Sequence, residues 1–298
     1  AQQLVAEAQT SQKDCYEVYS SNPLEASDIK SLALIEELHD CILSENHLST
    51  DYQPQVDLLT GKVIGYEALW TWCHPQGGNI PLEIFAPIVE EAGSIESIET
   101  KFLFDECERL KNWHRQGFEG LKLEINISSS QFHRSGFTAI VQQVLREVRL
   151  KPQFLTLQLT PSTLLKNPKN AIACLGELKS LGVGVALKHF ARGHYSLSYL
   201  RQFPFTTLKV DISYLHSLVK TYDSQVALKN LIRIAQLLER QLIIEGVETK
   251  PQFDFLRRYH FAPAAGNYLS PPLKIDGFED LLSGKSEWLT TLFGYPPI

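Results

Sequence analysis

The chain has 298 residues, 44% of them hydrophobic and 10% aromatic, which is enough to bury a sizeable core and excludes general disorder. Its formal net charge is −6 and no Lys/Arg block exceeds Arg257–Arg258, so the basic footprint of a nucleic-acid duplex binder is missing. Five scattered cysteines with no C-x-x-C pair argue against a disulfide framework and a zinc cluster. A reducing cytoplasm is the expected compartment. No apolar run reaches the roughly 18 residues of a membrane span. The chain holds no Met, and a fragment or processed product is expected.

Residues 1–25 differ in character from the rest: a helix tail over Gln2–Ala8, a short strand over Asp14–Tyr19 and the polar linker "SSNPLEAS" precede a helix over Asp28–Cys41. From about residue 50, strand and helix patterns alternate. Strands are expected at Tyr52–Asp57, Val63–Leu69, Leu121–Ser128, Phe154–Thr160, Val183–Leu187, Thr207–Asp211 and Gln241–Glu245, with a weaker one around Ala262–Leu269. Helical periods fall at Leu82–Ala92, Ser97–Gln116, Gly136–Val148, Lys169–Leu181, Leu197–Gln202, Ser224–Glu239 and Lys250–Tyr259. That rhythm describes a parallel sheet with helices outside it.

No Gly-rich phosphate turn occurs, and the repeating unit runs over about 250 residues, so a closed TIM-like (β/α)8 barrel is favoured over an open doubly wound sheet. In such a barrel the chemistry sits at the carboxyl ends of the strands. Those ends carry Glu67, Asn126, Gln158, Lys188 with His189, Lys209 with Asp211, and Glu245 with Glu248. Lys188 and His189 are unexpected there, because they follow at once on the apolar strand "VGVAL". His189 and His194 lack a third ligand at metal-binding spacing and read as ordinary polar residues.

The segments "YQPQVDLLTGKVIGYEALWTW", "EINISSSQF", "LKVD", "EGVET" and "AGNYLSPP" together resemble the EAL-domain family, in order and with its spacing. The resemblance implies a barrel phosphodiesterase that linearises cyclic di-GMP with Mg²⁺ or Mn²⁺. It also implies that residues 26–298 form the EAL-like barrel and residues 1–25 a C-terminal remnant of a preceding GGDEF-like domain with its linker.

Carried over residue by residue, the resemblance makes Glu67 and Asn126 match metal ligands, Lys209 the lysine near the attacking water, and Glu245 a further acidic position. Other ligands are replaced. Gln158 stands for a ligand Glu, Pro161 for the Glu three places on, Lys188 and His189 for paired aspartates, and Ala265 for a Gln. Hard cations take oxygen ligands, and two of five expected carboxylates remain, so no bound metal is expected. Lys188 is expected to act instead as an internal cation between the surviving acids.

Gln53, Leu69, Asp211 and Glu248 match positions near the family's nucleotide, and Arg192 is a further phosphate candidate. Thr71 replaces a phosphate-binding Arg, which weakens anion recognition. The expected function is a catalytically degenerate signalling or protein-interaction module of bacterial cyclic di-GMP pathways. A non-hydrolysing cyclic di-GMP receptor is the alternative, ahead of an active phosphodiesterase. Expected partners are a protein, weakly held cyclic di-GMP and a second copy in a homodimer.

Overall fold

A computed structural model describes residues 48–73, 79–81, 95–190, 201–213, 224–259, 263–285 and 291–293. The expected helices at Asp28–Cys41 and Leu82–Ala92, residues 197–200 of a third, the proposed remnant at 1–25, and Arg192 all lie outside them. The chain divides into two units, one of Ala1–Thr50 with Trp70–Thr100 and the other of Asp51–Leu69 with Lys101–Ile298. In the first, the end of strand β2 (Val63–Cys73) pairs antiparallel with a short strand β3 (Asn79–Pro81), Thr71 opposite Pro81.

The second unit carries the expected sheet. Its strands run in the order β1 (Leu48–Val56), β2 (Val63–Cys73), β4 (Lys122–Asn126), β5 (Leu155–Leu159), β6 (Gly184–Leu187), β7 (Thr207–Asp211) and β8 (Gln241–Glu245). Strands β1 and β2 join through a turn in which the Asp57 carboxylate accepts from the Leu59 and Thr60 amides. Gly61 sits there at φ +73°, a conformation that glycine adopts without strain. From β2 onward, successive neighbours β4 to β8 are parallel.

The weaker eighth strand does not form among its described residues, 263–269. Only Ala264 takes the sheet geometry, bridging Val56 of β1 and Ile244 of β8 at once. Its amide and carbonyl exchange hydrogen bonds of 2.9 and 2.8 Å with Val56, and the Ala265 amide donates to Ile244 at 2.9 Å. This single residue closes the sheet into a barrel. Gly266 stops any continuation: it holds φ +150°, and a Cβ there would lie 2.2 Å from the Val247 nitrogen.

Each parallel strand is buried on both faces, with unlike contents. On β4 the outward residues Leu123 and Ile125 are buried, and so is Glu124 between them. The same alternation gives Leu157 and Leu159 against Gln158 on β5, and Leu208 and Val210 against Lys209 on β7. The outward apolar side chains lie beneath helices α1 (Ile95–Arg115), α3 (Phe137–Val148), α5 (Pro168–Leu181), α6 (Ser224–Leu237) and α7 (Lys250–Arg258). Helix α3 shows why these segments are helical: Phe137, Val141, Val144, Leu145 and Val148 recur at the helical period and are the residues it buries.

Two short helices were not expected from the periodicity. α2 (Ser129–His133) follows β4 and α4 (Pro161–Lys166) follows β5. Each starts on a hydroxyl cap, Ser128 accepting from the Gln131 amide and Thr160 from the Thr163 amide. A further helix, α8 (Ile275–Leu282), is likewise not among the periods expected from the sequence. It packs Phe278 against Tyr52, Tyr66 and Trp113.

Candidate functional site at the barrel mouth

The inward faces of all seven strands in the ring supply side chains to one polar cluster. Lys209 of β7 is its centre. The side chain is fully buried, and its Nζ lies 3.0 Å from Glu67 Oε2, 2.7 Å from Glu124 Oε2 and 2.7 Å from Glu245 Oε1. An ammonium carries three protons, and it faces three carboxylates. Burial alone would drive Lys209 towards its neutral form, but Glu124, Glu245 and Glu67 outweigh it and hold its pKa well above the usual lysine range.

Lys188 closes the cluster from the end of β6. Its amide still bonds the Leu159 carbonyl at 2.9 Å, so the residue keeps the strand register and points inward like Ala186. Its Nζ lies 3.0 Å from Glu67 Oε1 and 3.1 Å from Asn126 Oδ1. Asn126 Nδ2 donates to the same Glu67 oxygen at 2.9 Å. The next residue, His189, turns the chain away through a left-handed backbone at φ 54°, a region in which His is tolerated better than bulky or β-branched residues.

Glu67 therefore meets an ammonium on each of its two oxygens. Burial pushes its carboxyl up, but Lys188 and then Lys209 overcome that and hold it far below the ordinary carboxylate range. The internal cation expected at Lys188 is thus in contact with Glu67.

Two carboxylates are expected from the sequence, whereas the structure gathers three. Glu124 is the addition. Its Oε2 accepts from Lys209, from Gln158 Nε2 at 2.8 Å and from Gln55 Nε2 at 2.5 Å. Burial raises the Glu124 pKa, and Lys209 opposes the rise without cancelling it. The signal was present in the sequence, because Glu124 stands two residues before Asn126 and a strand places such residues on one face. Gln55, on β1, carries no comparable signal.

The remaining candidates make other contacts. Gln53 Nε2 donates to the Ser270 carbonyl at 2.8 Å and ties β1 to the loop before α8. Asp211 Oδ1 accepts from the Ser213 amide at 2.8 Å and from the Ser213 hydroxyl at 2.5 Å. Leu69 is half-buried and Glu248 is exposed. Thr71 belongs to the other unit, where its hydroxyl lies 3.0 Å from Ser49 Oγ. Among the described residues, no group of three His, Cys, Asp or Glu side chains is arranged to hold a metal ion, and no helix is long and apolar enough to cross a membrane.

A closed β/α ring, parallel from β2 to β8, with acids, amides and lysines at its strand ends defines a TIM-type barrel domain with a polar mouth. The chain belongs to the EAL domain family, whose family model matches residues 35–272. It is 30% identical over 255 residues to the bifunctional diguanylate cyclase/cyclic di-GMP phosphodiesterase MucR of Pseudomonas aeruginosa, a match covering 86% of this chain and 37% of that protein. It is 32% identical over 253 residues to the cyclic di-GMP phosphodiesterase NbdA of the same organism, covering 85% and 32%. The chain thus spans about a third of the length of these curated relatives.

Among solved structures, the PaMucR phosphodiesterase in complex with c-di-GMP superposes with a TM-score of 0.74 at 31% identity, covering 82% of this chain and 99% of that one. The EAL domain of FimX from Pseudomonas aeruginosa, bound to c-di-GMP, gives 0.70 at 23% identity and shares the fold.

Proposed function

We propose that this chain is a catalytically degenerate EAL domain that serves cyclic di-GMP signalling as an interaction module rather than as a phosphodiesterase. The observation that carries the reading is the ion pair of Lys188 with Glu67, joined by the hydrogen bond that Lys188 donates to Asn126 Oδ1. Metal-dependent hydrolysis needs hard cations on carboxylate oxygens to make a water nucleophilic. Here both Glu67 oxygens are taken by ammonium groups, Asn126 turns its oxygen to Lys188, and Glu245 is paired with Lys209. That donor set does not fit a divalent pair, and no hydrolytic step is derived through one.

Two relatives are named as cyclic di-GMP phosphodiesterases, and a relative of 31% identity is solved with the dinucleotide. They support placing the chain in the same signalling chemistry. Calorimetric titration with cyclic di-GMP, with and without Mg²⁺ or Mn²⁺, tests the proposal when chromatography follows the linear product. No linear dinucleotide and weak or absent binding are expected. Metal-dependent formation of the linear product overturns the proposal. Tight binding without turnover would make the chain a receptor instead.

A further inference from the structure

The contact between strands β4 and β5 joins one acid to one amide. Glu124 and Gln158 touch through Glu124 Oε2 and Gln158 Nε2 at 2.8 Å, and Gln55 Nε2 reaches the same oxygen at 2.5 Å. Lys209 Nζ meets that oxygen at 2.7 Å. One buried carboxylate oxygen therefore takes three donors from three other strands. Gln158 gives its nitrogen to the carboxylate and leaves its Oε1 buried without a partner among the described residues. A buried acceptor left bare is costly, yet the opposite orientation would set oxygen against oxygen. An ionised acid at 158 has no donor to offer.

We infer that Glu124 is a positioning residue that fixes Lys209 as the resident cation of the barrel mouth, and that Gln158 must be an amide because it donates to the same oxygen. Removing the Glu124 charge leaves Lys209 facing two acids and leaves both amides without their charged acceptor. Adding a charge at 158 sets two carboxylates in contact with one shared ammonium. Both changes loosen the point at which β4, β5 and β7 meet. With Lys209 and Lys188 in place, the strand ends are assembled without a divalent ion, a consequence that rests on the metal-free reading of the site.

The test is a double-mutant cycle of Glu124→Gln, Gln158→Glu and the two together, read by urea unfolding. Each single variant is expected to lower the unfolding midpoint, and the exchange of acid and amide is expected to recover at least half of the summed loss. NMR of lysine ammonium protons supplies a second readout. A slowly exchanging Lys209 signal is expected in the wild type and Gln158→Glu,Glu124→Gln proteins and is expected to be lost in Glu124→Gln alone. Additive single losses, or an unchanged Lys209 signal in Glu124→Gln, overturn the inference.

Wild-type melting in Mn²⁺ and in EDTA addresses the ion separately: equal midpoints are expected, and a rise with Mn²⁺ refutes the ion-free assembly. None of these measurements uses cyclic di-GMP, so phosphodiesterase activity could appear while the cycle still holds.

Discussion

Lys188 is a half-buried residue whose ammonium meets Glu67. Its side chain is 15% exposed and that of Glu67 is 7% exposed, so water screens the pair little and opening it leaves a buried carboxylate short of one partner. Lys209 still faces the other Glu67 oxygen, which limits the damage. Replacing Lys188 by Met keeps the stem and removes the charge. Lys188→Met is therefore expected to cost about 3 kcal/mol, the low end for breaking a buried pair, read from urea midpoints at unchanged slope. A loss below about 1 kcal/mol, the range of exposed pairs, would mean that the mouth is wet and the contact incidental.

The elements that shape the mouth depend on a few backbone positions, and Gly266 is the tightest of them. The chain must turn there immediately after Ala264 has joined β8 to β1. Its φ of +150° disfavours any L side chain, and a Cβ would meet the Val247 nitrogen at 2.2 Å and oxygen at 2.4 Å. Those obstacles are backbone atoms and cannot swing aside. Gly266→Ala is expected to cost about 3 kcal/mol or more by overpacking, with a lower melting temperature, whereas Gly284→Ala, with open space around it, tests the φ effect alone.

The seven strands of the ring are legible because short apolar segments alternate along the chain with Gly/Pro-punctuated joints and segments of helical period. The residues between Ala262 and Leu269 misled for the opposite reason: they are apolar enough for a strand, but a single bridge residue suffices to close the ring. The structure gathers Glu67, Asn126, Gln158, Lys188, Lys209 and Glu245, the residues that motif spacing singles out, into one cluster. Gln55 is not legible in the motifs because its part in the cluster depends on packing across neighbouring strands, whereas Glu124 is legible only through the two-residue spacing that sets it on the same face of β4 as Asn126.

At the scale of the molecule, the cluster is a polar core tying the ring together. Gln55, Glu67, Glu124, Gln158, Lys188, Lys209 and Glu245 belong to or directly follow the seven successive strands, so the loss of one charge is felt around the whole barrel. That gives the cluster a pH signature. The Glu67 pKa is depressed by Lys188 and Lys209 against the opposing effect of burial. A carboxylate with a depressed folded-state pKa stabilises fully above its unfolded pKa, about 4.3 for Glu, and that contribution is lost as pH falls through the folded value. Glu124 is raised and works with the opposite sign, favouring the fold on acidification. The two are separable because Lys188 touches Glu67 and not Glu124. In Lys188→Met one cause of the Glu67 depression is gone, so the variant has less to lose in acid. The stability gap between wild type and Lys188→Met is therefore expected to be full at pH 7 and to narrow below about pH 4. Urea unfolding at pH 7, 5 and 3 measures it. A gap that stays constant across that range would show that Lys188 contributes packing and not charge, and the ammonium would then have no standing as the cation of this site.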